Sequence, residues 1–299
     1  MRKARLVSAR PRAGACTAAE LPALIAALDA EFVHARGRSG SLAMRYPELL
    51  VAENLDNLHV RRQGEQIVAC CVVRHGSWAV GQERWRTALI GLVYTAPAAR
   101  GKGHAAAVLE ATVDACAADG SDFGVLWSGL DGFYERLGWD AHDRGVFGSV
   151  RLTPAAALTE PTLDGERFET LRARSGVDGI ERAPLSYRSV PLPVISVGTL
   201  FARAGKAESG ALVGACGSER YVYEVVGDDD ALPALWRDIA RGASAVHINE
   251  AIGSPFHRWL VCHVPIQFSG QQLAYWRMLS PRARRSAWRN WHIPYFDRI

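Results

Sequence analysis

Residues 89–118 constrain the fold of this 299-residue chain more than any other stretch. Leu89-Ile90-Gly91-Leu92-Val93-Tyr94-Thr95 is short, apolar and rich in strand formers, and residues 105–118 are an alanine-rich run of helix length closed by Gly120. Between them stands Arg100-Gly101-Lys102-Gly103-His104-Ala105. The order strand, loop, glycine turn, helix puts two glycines where main-chain N–H groups can approach an anion closely. The first helical turn adds unpaired donors and a partial positive charge. Arg100 and Lys102 supply full charges at the rim, and a diphosphate is the guest such a cradle predicts.

Hydrophobic residues make up 48% of the chain and charged residues 22%, the mixture of a globular protein that folds throughout. The length fits two domains of about 150 residues. The 35 basic and 31 acidic side chains leave a formal charge of +4, too small an excess to indicate nucleic acid or a membrane surface as a partner. No run reaches the roughly 18 apolar residues of a membrane span, and no apolar signal core follows the basic N-terminus, so a cytoplasmic protein is expected. The cysteines at 16, 70, 71, 116, 216 and 262 have neither Cys-x-x-Cys nor zinc-type Cys/His spacing. They read as reduced thiols, and no metal is expected. Arg282, Arg284, Arg285 and Arg289 interleave with Trp288 and Trp291, a mixture that can bind single-stranded nucleic acid. Their spacing reads instead as a terminal helix with both tryptophans turned inward.

Taken in order, residues 4–9 read as a first strand, and Thr17-Ala18-Ala19-Glu20 has the form of a capping box. A helix follows, its apolar positions Leu21, Leu24, Ile25 and Leu28 continuing to Phe32. Residues 36–40, basic and glycine-rich, read as a loop of the kind that borders substrate sites. Strands at 58–61, 66–74 and 85–95, the helix 105–118 and a strand at 123–127 make a mixed α/β layer. Residues 133–139 read as a turn or two of helix stopped by Gly138, and 146–152 as a strand. Two prolines and no sustained period make 153–164 a linker. Beyond it, a helix at 165–175, strands at 194–202, 210–216 and 221–226, a helix at 231–240 and a strand at 245–248 echo the first half without its glycine turn. His247 and His257 lack the spacing of a helical zinc site and read as ordinary hydrogen-bonded histidines.

Residues 90–105 together with Phe133-Tyr134-Glu135-Arg136-Leu137-Gly138-Trp139 resemble the Gcn5-related N-acetyltransferase (GNAT) superfamily in its two most recognisable pieces. The family's acetyl-CoA turn, Gln/Arg-x-x-Gly-x-Gly/Ala, is met by Arg100, Gly103 and Ala105, and Pro97 stands where these proteins commonly carry proline. Tyr-Glu-Arg-Leu-Gly-Trp is similar to the family's Tyr-x-x-x-Gly-Phe segment, at a separation that leaves room for one helix and one strand. The resemblance covers roughly residues 1–152. Within it, Tyr46-Pro47 through Asn57 resembles the two-lobed branch related to the mycobacterial enhanced intracellular survival proteins.

The resemblance implies an α/β fold of two acetyltransferase-like lobes, each a mixed, mostly antiparallel sheet flanked by helices. An acetyl-CoA-binding lobe would span 1–152, a linker 153–164, and a degenerate second lobe 165–299, the last shaping the substrate site. Two lobes exhaust the chain, so the branch's third, sterol-carrier-like domain is expected to be absent.

The activity implied is transfer of an acetyl group from acetyl-CoA, as co-substrate, to a primary amine by direct attack in a ternary complex. Main-chain amides of Arg100, Gly101, Lys102, Gly103, His104 and Ala105 would hold the pyrophosphate. Val93 and Thr95 stand where the family's strand pairs with the pantetheine arm, and Tyr134 where the family places a phenol near the sulfur. A phenol is a fitting acid for a departing thiolate. No carboxylate lies within residues 89–95, so the base is left open among His75, Glu83, Glu53 and Asp131, each also readable as an ordinary surface or capping residue. The carboxylate of Ile299 is a further candidate, against the prior that a terminus lies disordered or on the surface.

The acceptor, a small-molecule or a peptide amine, and the oligomeric state are left open. Gly101-Lys102-Gly103-His104-Ala105-Ala106 also satisfies the dinucleotide fingerprint Gly-x-Gly-x-x-Ala, but residues 96–100 separate it from the strand and no acidic residue closes the next one. An acyl-CoA-binding regulatory or structural protein without turnover is the alternative that would keep both fold and turn.

Overall fold

The computed structural model describes residues 12–176, 178–182, 184–284 and 288–299; the strand read at 4–9 and Arg285 lie outside them. The first half runs β1 (Arg12–Ala15), α1 (Leu21–Phe32), α2 (Leu42–Arg45), β2 (Leu58–Gln63), β3 (Gln66–Val80), β4 (Glu83–Thr95), α3 (His104–Ala118), β5 (Phe123–Trp127), β6 (Asp140–Ala141) and β7 (Gly145–Arg151). The second runs α4 (Gly165–Arg174), β8 (Gly179–Glu181), β9 (Ser196–Ala204), β10 (Ala207–Cys216), β11 (Glu219–Gly227), α5 (Leu232–Ala240), β12 (Ala245–Ala251), α6 (Pro255–His263), β13 (Gln267–Gly270) and β14 (Ala274–Met278).

Local chemistry accounts for the element ends. Glu20 folds back so that its carboxylate accepts the Thr17 amide at 2.8 Å, the return half of a capping box. The Thr17 hydroxyl donates to the same carboxylate instead of capping an amide, and α1 starts at Leu21 with Glu20 as its N-cap. Leu24 and Leu28 form its buried stripe. In α5, Leu232, Leu235 and Ile239 do the same at helical spacing.

Two sheets repeat one plan. The first has the order β1-β2-β3-β4-β5-β14-β6, with β8 on the far end of β3; the second has β13-β7-β12-β11-β10-β9. In each, antiparallel strands, β1 to β3 in the first sheet and β9 with β10 in the second, lead to one parallel pair, β4 with β5 and β11 with β12, and two antiparallel strands follow. A helix makes each parallel crossover, α3 in one case and α5 in the other. The position beside the parallel pair is filled by exchange. β14, from the C-terminal half, pairs with β5, while β7, which in sequence reads as the last strand of the first half, pairs with β12. The lobes are therefore interlocked through reciprocal strands.

The seam between them is aromatic. Trp78, Phe123, Trp276, Trp288 and Trp291 share one buried cluster, with Trp276 and Trp288 stacked at 5.5 Å and Trp78 and Trp291 at 5.0 Å. Both C-terminal tryptophans thus face inward, while residues 281–284 are turn and coil where the spacing predicts the start of a terminal helix. Among the described residues no helix is long and apolar enough to cross a membrane, and no group of three His, Cys, Asp or Glu side chains could hold a metal ion.

Candidate active site

The site begins with a fault in β4. Cys70 pairs with Tyr94 and Val72 with Gly91, so β4 carries one more residue than β3 across this interval. Leu92 absorbs it with φ 47°, the one positive value outside glycine among the described residues. The bulge turns β4 away from its parallel neighbour. β4 and β5 are paired only from Thr87–Leu89 to Phe123–Val125, and beyond that point they splay. The wedge between residues 90–95 and 126–130 is a cavity of about 840 Å³. Val93 and Thr95 line it, as do Arg36 and Arg38 of the loop read as bordering a site.

Arg100, the first residue of the glycine turn, lines the wedge, and residues 101–105 lie beyond its lining. Gly101 and Gly103 have φ 74° and 76°, a left-handed conformation that glycine adopts without strain. The space where their side chains would stand is open, with nothing within 4 Å. Gly103 is the N-cap of α3, so the first helical amides, from His104 and Ala105 onward, lack acceptors within the helix. These features fit a bound diphosphate. The Arg100 guanidinium lines the cavity, donates to Thr95 O at 3.2 Å and pairs with Glu31 at 2.7 Å; Lys102 Nζ donates to Ala98 O at 2.9 Å. His104 is turned inward, its Nδ1 accepting from Arg61 Nε at 3.1 Å.

Further along the wedge stands Tyr134, 4% exposed and packed edge-on against Phe133 and Trp139. It precedes the single turn Glu135–Leu137, stopped by Gly138 at φ 78°. Burial pushes its phenol up to about 12, against the opposing effect of a hydrogen bond with Ser128. The group therefore holds its proton in any physiological range.

The sequence also raised Ile299, and the structure brings it to this wall. Ile299 lines the same cavity as Tyr134, with its main-chain carbonyl carbon and oxygen lying over Gly91. The tail is clamped from both lobes. Asp297 accepts two bonds from Arg182, at 2.8 and 2.6 Å, and its main-chain oxygen accepts from Arg74 at 3.2 Å. Phe296 is fully buried between Tyr187 and Tyr223, and the Arg298 guanidinium lies 5.2 Å over the Trp127 ring.

The other base candidates stand elsewhere. His75, half-buried on β3 near Ser121, has its pKa lowered by burial and lines a different depression. Glu83 opens β4 at the hairpin end, Glu53 is exposed on the turn Ala52–Asn57, and Asp131 is exposed just past Leu130, which lines the wedge. Sequence reasoning did not find the Leu92 bulge, the Ser128 partner of Tyr134 or the share of Tyr295, which lines the wedge from the second half.

Residues 15–141 match the family model described as an acetyltransferase (GNAT) domain. A GCN5-related N-acetyltransferase from Anabaena variabilis superposes with a TM-score of 0.67 at 14% identity, over 91% of this chain and 73% of that one. Eis1 from Mycobacterium abscessus does so at 0.60 and 13%, over 90% and 73%. N-myristoyltransferase from Saccharomyces cerevisiae, solved with bound myristoyl-CoA, does so at 0.54 and 11%, over 92% and 84%. No curated protein matches the chain. Residues 15–141 thus carry a match to the GNAT acetyltransferase domain, and the chain as a whole has the fold of these acetyltransferase structures, spread over two sheet lobes.

Proposed function

We propose that the chain is an N-acetyltransferase that moves an acetyl group from acetyl-CoA to a primary amine by direct attack in a ternary complex. One observation carries the reading: a single wedge, opened by the Leu92 bulge, is lined both by Arg100, the first residue of the glycine turn, and by a buried, protonated Tyr134. The turn amides and Arg100 would hold the pyrophosphate. The main chain around Val93 and Thr95, released from β5, would pair with the pantetheine arm and polarise the thioester carbonyl. Tyr134 would give its proton to the leaving thiolate, and its raised pKa keeps that proton available.

With no side-chain carboxylate on residues 89–95, the Ile299 main-chain oxygen over Gly91 is an acceptor in reach of the same wall, suited to orienting the attacking amine. We assign acceptor recognition to the second lobe, because Leu192, Tyr295 and Arg298 come from that half of the chain and line the wedge. The six cysteines are unpaired, which suits a cytoplasmic enzyme. The test is release of CoA thiol from acetyl-CoA across a panel of small-molecule and peptide amines, run beside calorimetry of acetyl-CoA binding. Binding with thiol release supports the reading; binding without release from any acceptor leaves an acyl-CoA-binding regulator.

A further inference from the structure

One face of the second sheet is packed against α5 and α6; the other is covered in part by α4 and Phe296 and, beside them, carries a row of polar side chains across four strands. Gln267 on β13 pairs with Ser149 on β7, Ser149 with His247 on β12, and His247 with Tyr221 on β11. Directly opposed residues share a face, and these four line a cleft of about 520 Å³ walled also by Phe147 and Tyr295. Ser149 is exposed there.

Within the row, Ser149 Oγ lies 2.6 Å from His247 Nδ1, and His247 Nε2 lies 3.2 Å from Glu219 Oε2. An ionised carboxylate only accepts, so Nε2 carries the hydrogen and the neutral ring presents its lone pair at Nδ1 to the serine hydroxyl. The Tyr221 hydroxyl donates to the same carboxylate oxygen at 3.0 Å, and its ring stacks on the imidazole at 4.6 Å. Tautomer and ring plane are thus both set by neighbours. The sequence reading of His247 as an ordinary hydrogen-bonded histidine leaves this order of hydroxyl, imidazole and carboxylate unused.

We infer that Ser149, His247 and Glu219 form a second, nucleophilic site, which transfers the acyl group of an uncharged carboxylic ester to water. Ser149 Oγ bonds to the ester carbonyl carbon while His247 Nδ1 takes the hydroxyl proton. The tetrahedral intermediate collapses, its C–O bond to the alcohol breaks, and His247 returns the proton to the departing alkoxide. Water then attacks the Ser149 ester, again through His247, releasing the acid and restoring the hydroxyl. β7 is paired on both sides at Ser149, so the oxyanion falls to the Gln267 side-chain amide. Such a site runs about 10²–10³-fold below one with a full set of oxyanion donors. The aromatic walls Phe147, Tyr221 and Tyr295 select esters of aromatic or short alkyl acids.

The experiment is covalent labelling of the full chain by a fluorophosphonate probe, mapped by peptide mass spectrometry, with hydrolysis of p-nitrophenyl acetate followed in parallel. Label is expected on Ser149, absent in Ser149→Ala and slowed about tenfold or more in His247→Gln, with ester hydrolysis falling in step. Ser149→Ala removes one exposed oxygen, and circular dichroism confirms that each variant is folded. Absence of label at residue 149 in the folded wild type, or an equal labelling rate in His247→Gln, makes the row an ordinary surface hydrogen-bond network and overturns the inference. Neither outcome depends on acetyl transfer.

Discussion

A Cβ atom on Gly91 would stand 2.0 Å from the main-chain oxygen of Ile299. Glycine is required there by a close approach, since the tail lies directly on β4 at the residue that opens the bulge. Gly91 is held in the ladder opposite Val72, so an alanine would displace the tail rather than the strand. Gly91→Ala should lower turnover with any accepted amine by about 100-fold, the usual effect of moving a reacting group by an ångström, with acetyl-CoA affinity little changed. Unchanged turnover would take Ile299 out of the chemistry.

Tyr134→Phe should cost about one to three orders of magnitude in turnover with similar acetyl-CoA affinity, the range of a lost general acid. The phenol is pushed up to about 12 by burial, so the wild-type rate should show no loss attributable to this group as pH rises from 7 to 10. Steady-state kinetics across that range check both statements. A wild-type rate that collapses near pH 9 in step with a titrating tyrosine would contradict the burial seen here.

Much of this site was legible in sequence because it is local. The strand, the glycine turn and α3 follow one another within about 30 residues, and each has its own chemical signature. What could not be read depends on pairing over distance. β14 lies opposite β5 although some 150 residues separate them, and β7 leaves its sequence neighbours for β12. Neither choice has a local marker. Ala274–Met278 has strand-forming residues, but nothing in them names a partner. In Pro255–His263 the helical stripe is only Phe256 and Leu260, too short a period among polar neighbours to mark a helix in sequence. The Leu92 bulge falls on a residue type that gives no sign of positive φ.

Gly103 tests the donor end alone. At φ 76° a β-branched residue is strained, and its side chain would enter the open space over the turn that the phosphates need. Gly103→Val should weaken acetyl-CoA binding by at least about tenfold in calorimetry, with strain of about 1–2 kcal/mol appearing as a small fall in melting temperature. Retained affinity would mean that the diphosphate sits elsewhere.

Two buried groups in the second lobe should tilt stability with pH in opposite directions. Glu250 is 8% exposed, its Oε2 lacks a hydrogen-bond partner, and burial raises its pKa to about 8 from an ordinary 4.5. Its stabilising contribution is complete below pH 4.5 and is lost as pH rises through 8, because only the unfolded chain ionises freely in between. His292 has both ring nitrogens buried without partners, and burial lowers its pKa to about 3 from 6.5. Its contribution is complete above pH 6.5 and is lost as pH falls toward 3. Glu250→Gln should therefore raise the melting temperature relative to wild type at pH 8 and not at pH 4.5, the gain corresponding to about 1–3 kcal/mol of stability once relaxation is allowed for. His292→Asn should flatten the acid limb instead. Melting curves of the three proteins at pH 4.5, 6.5 and 8 decide the matter, and parallel pH profiles would show that neither group is desolvated in solution.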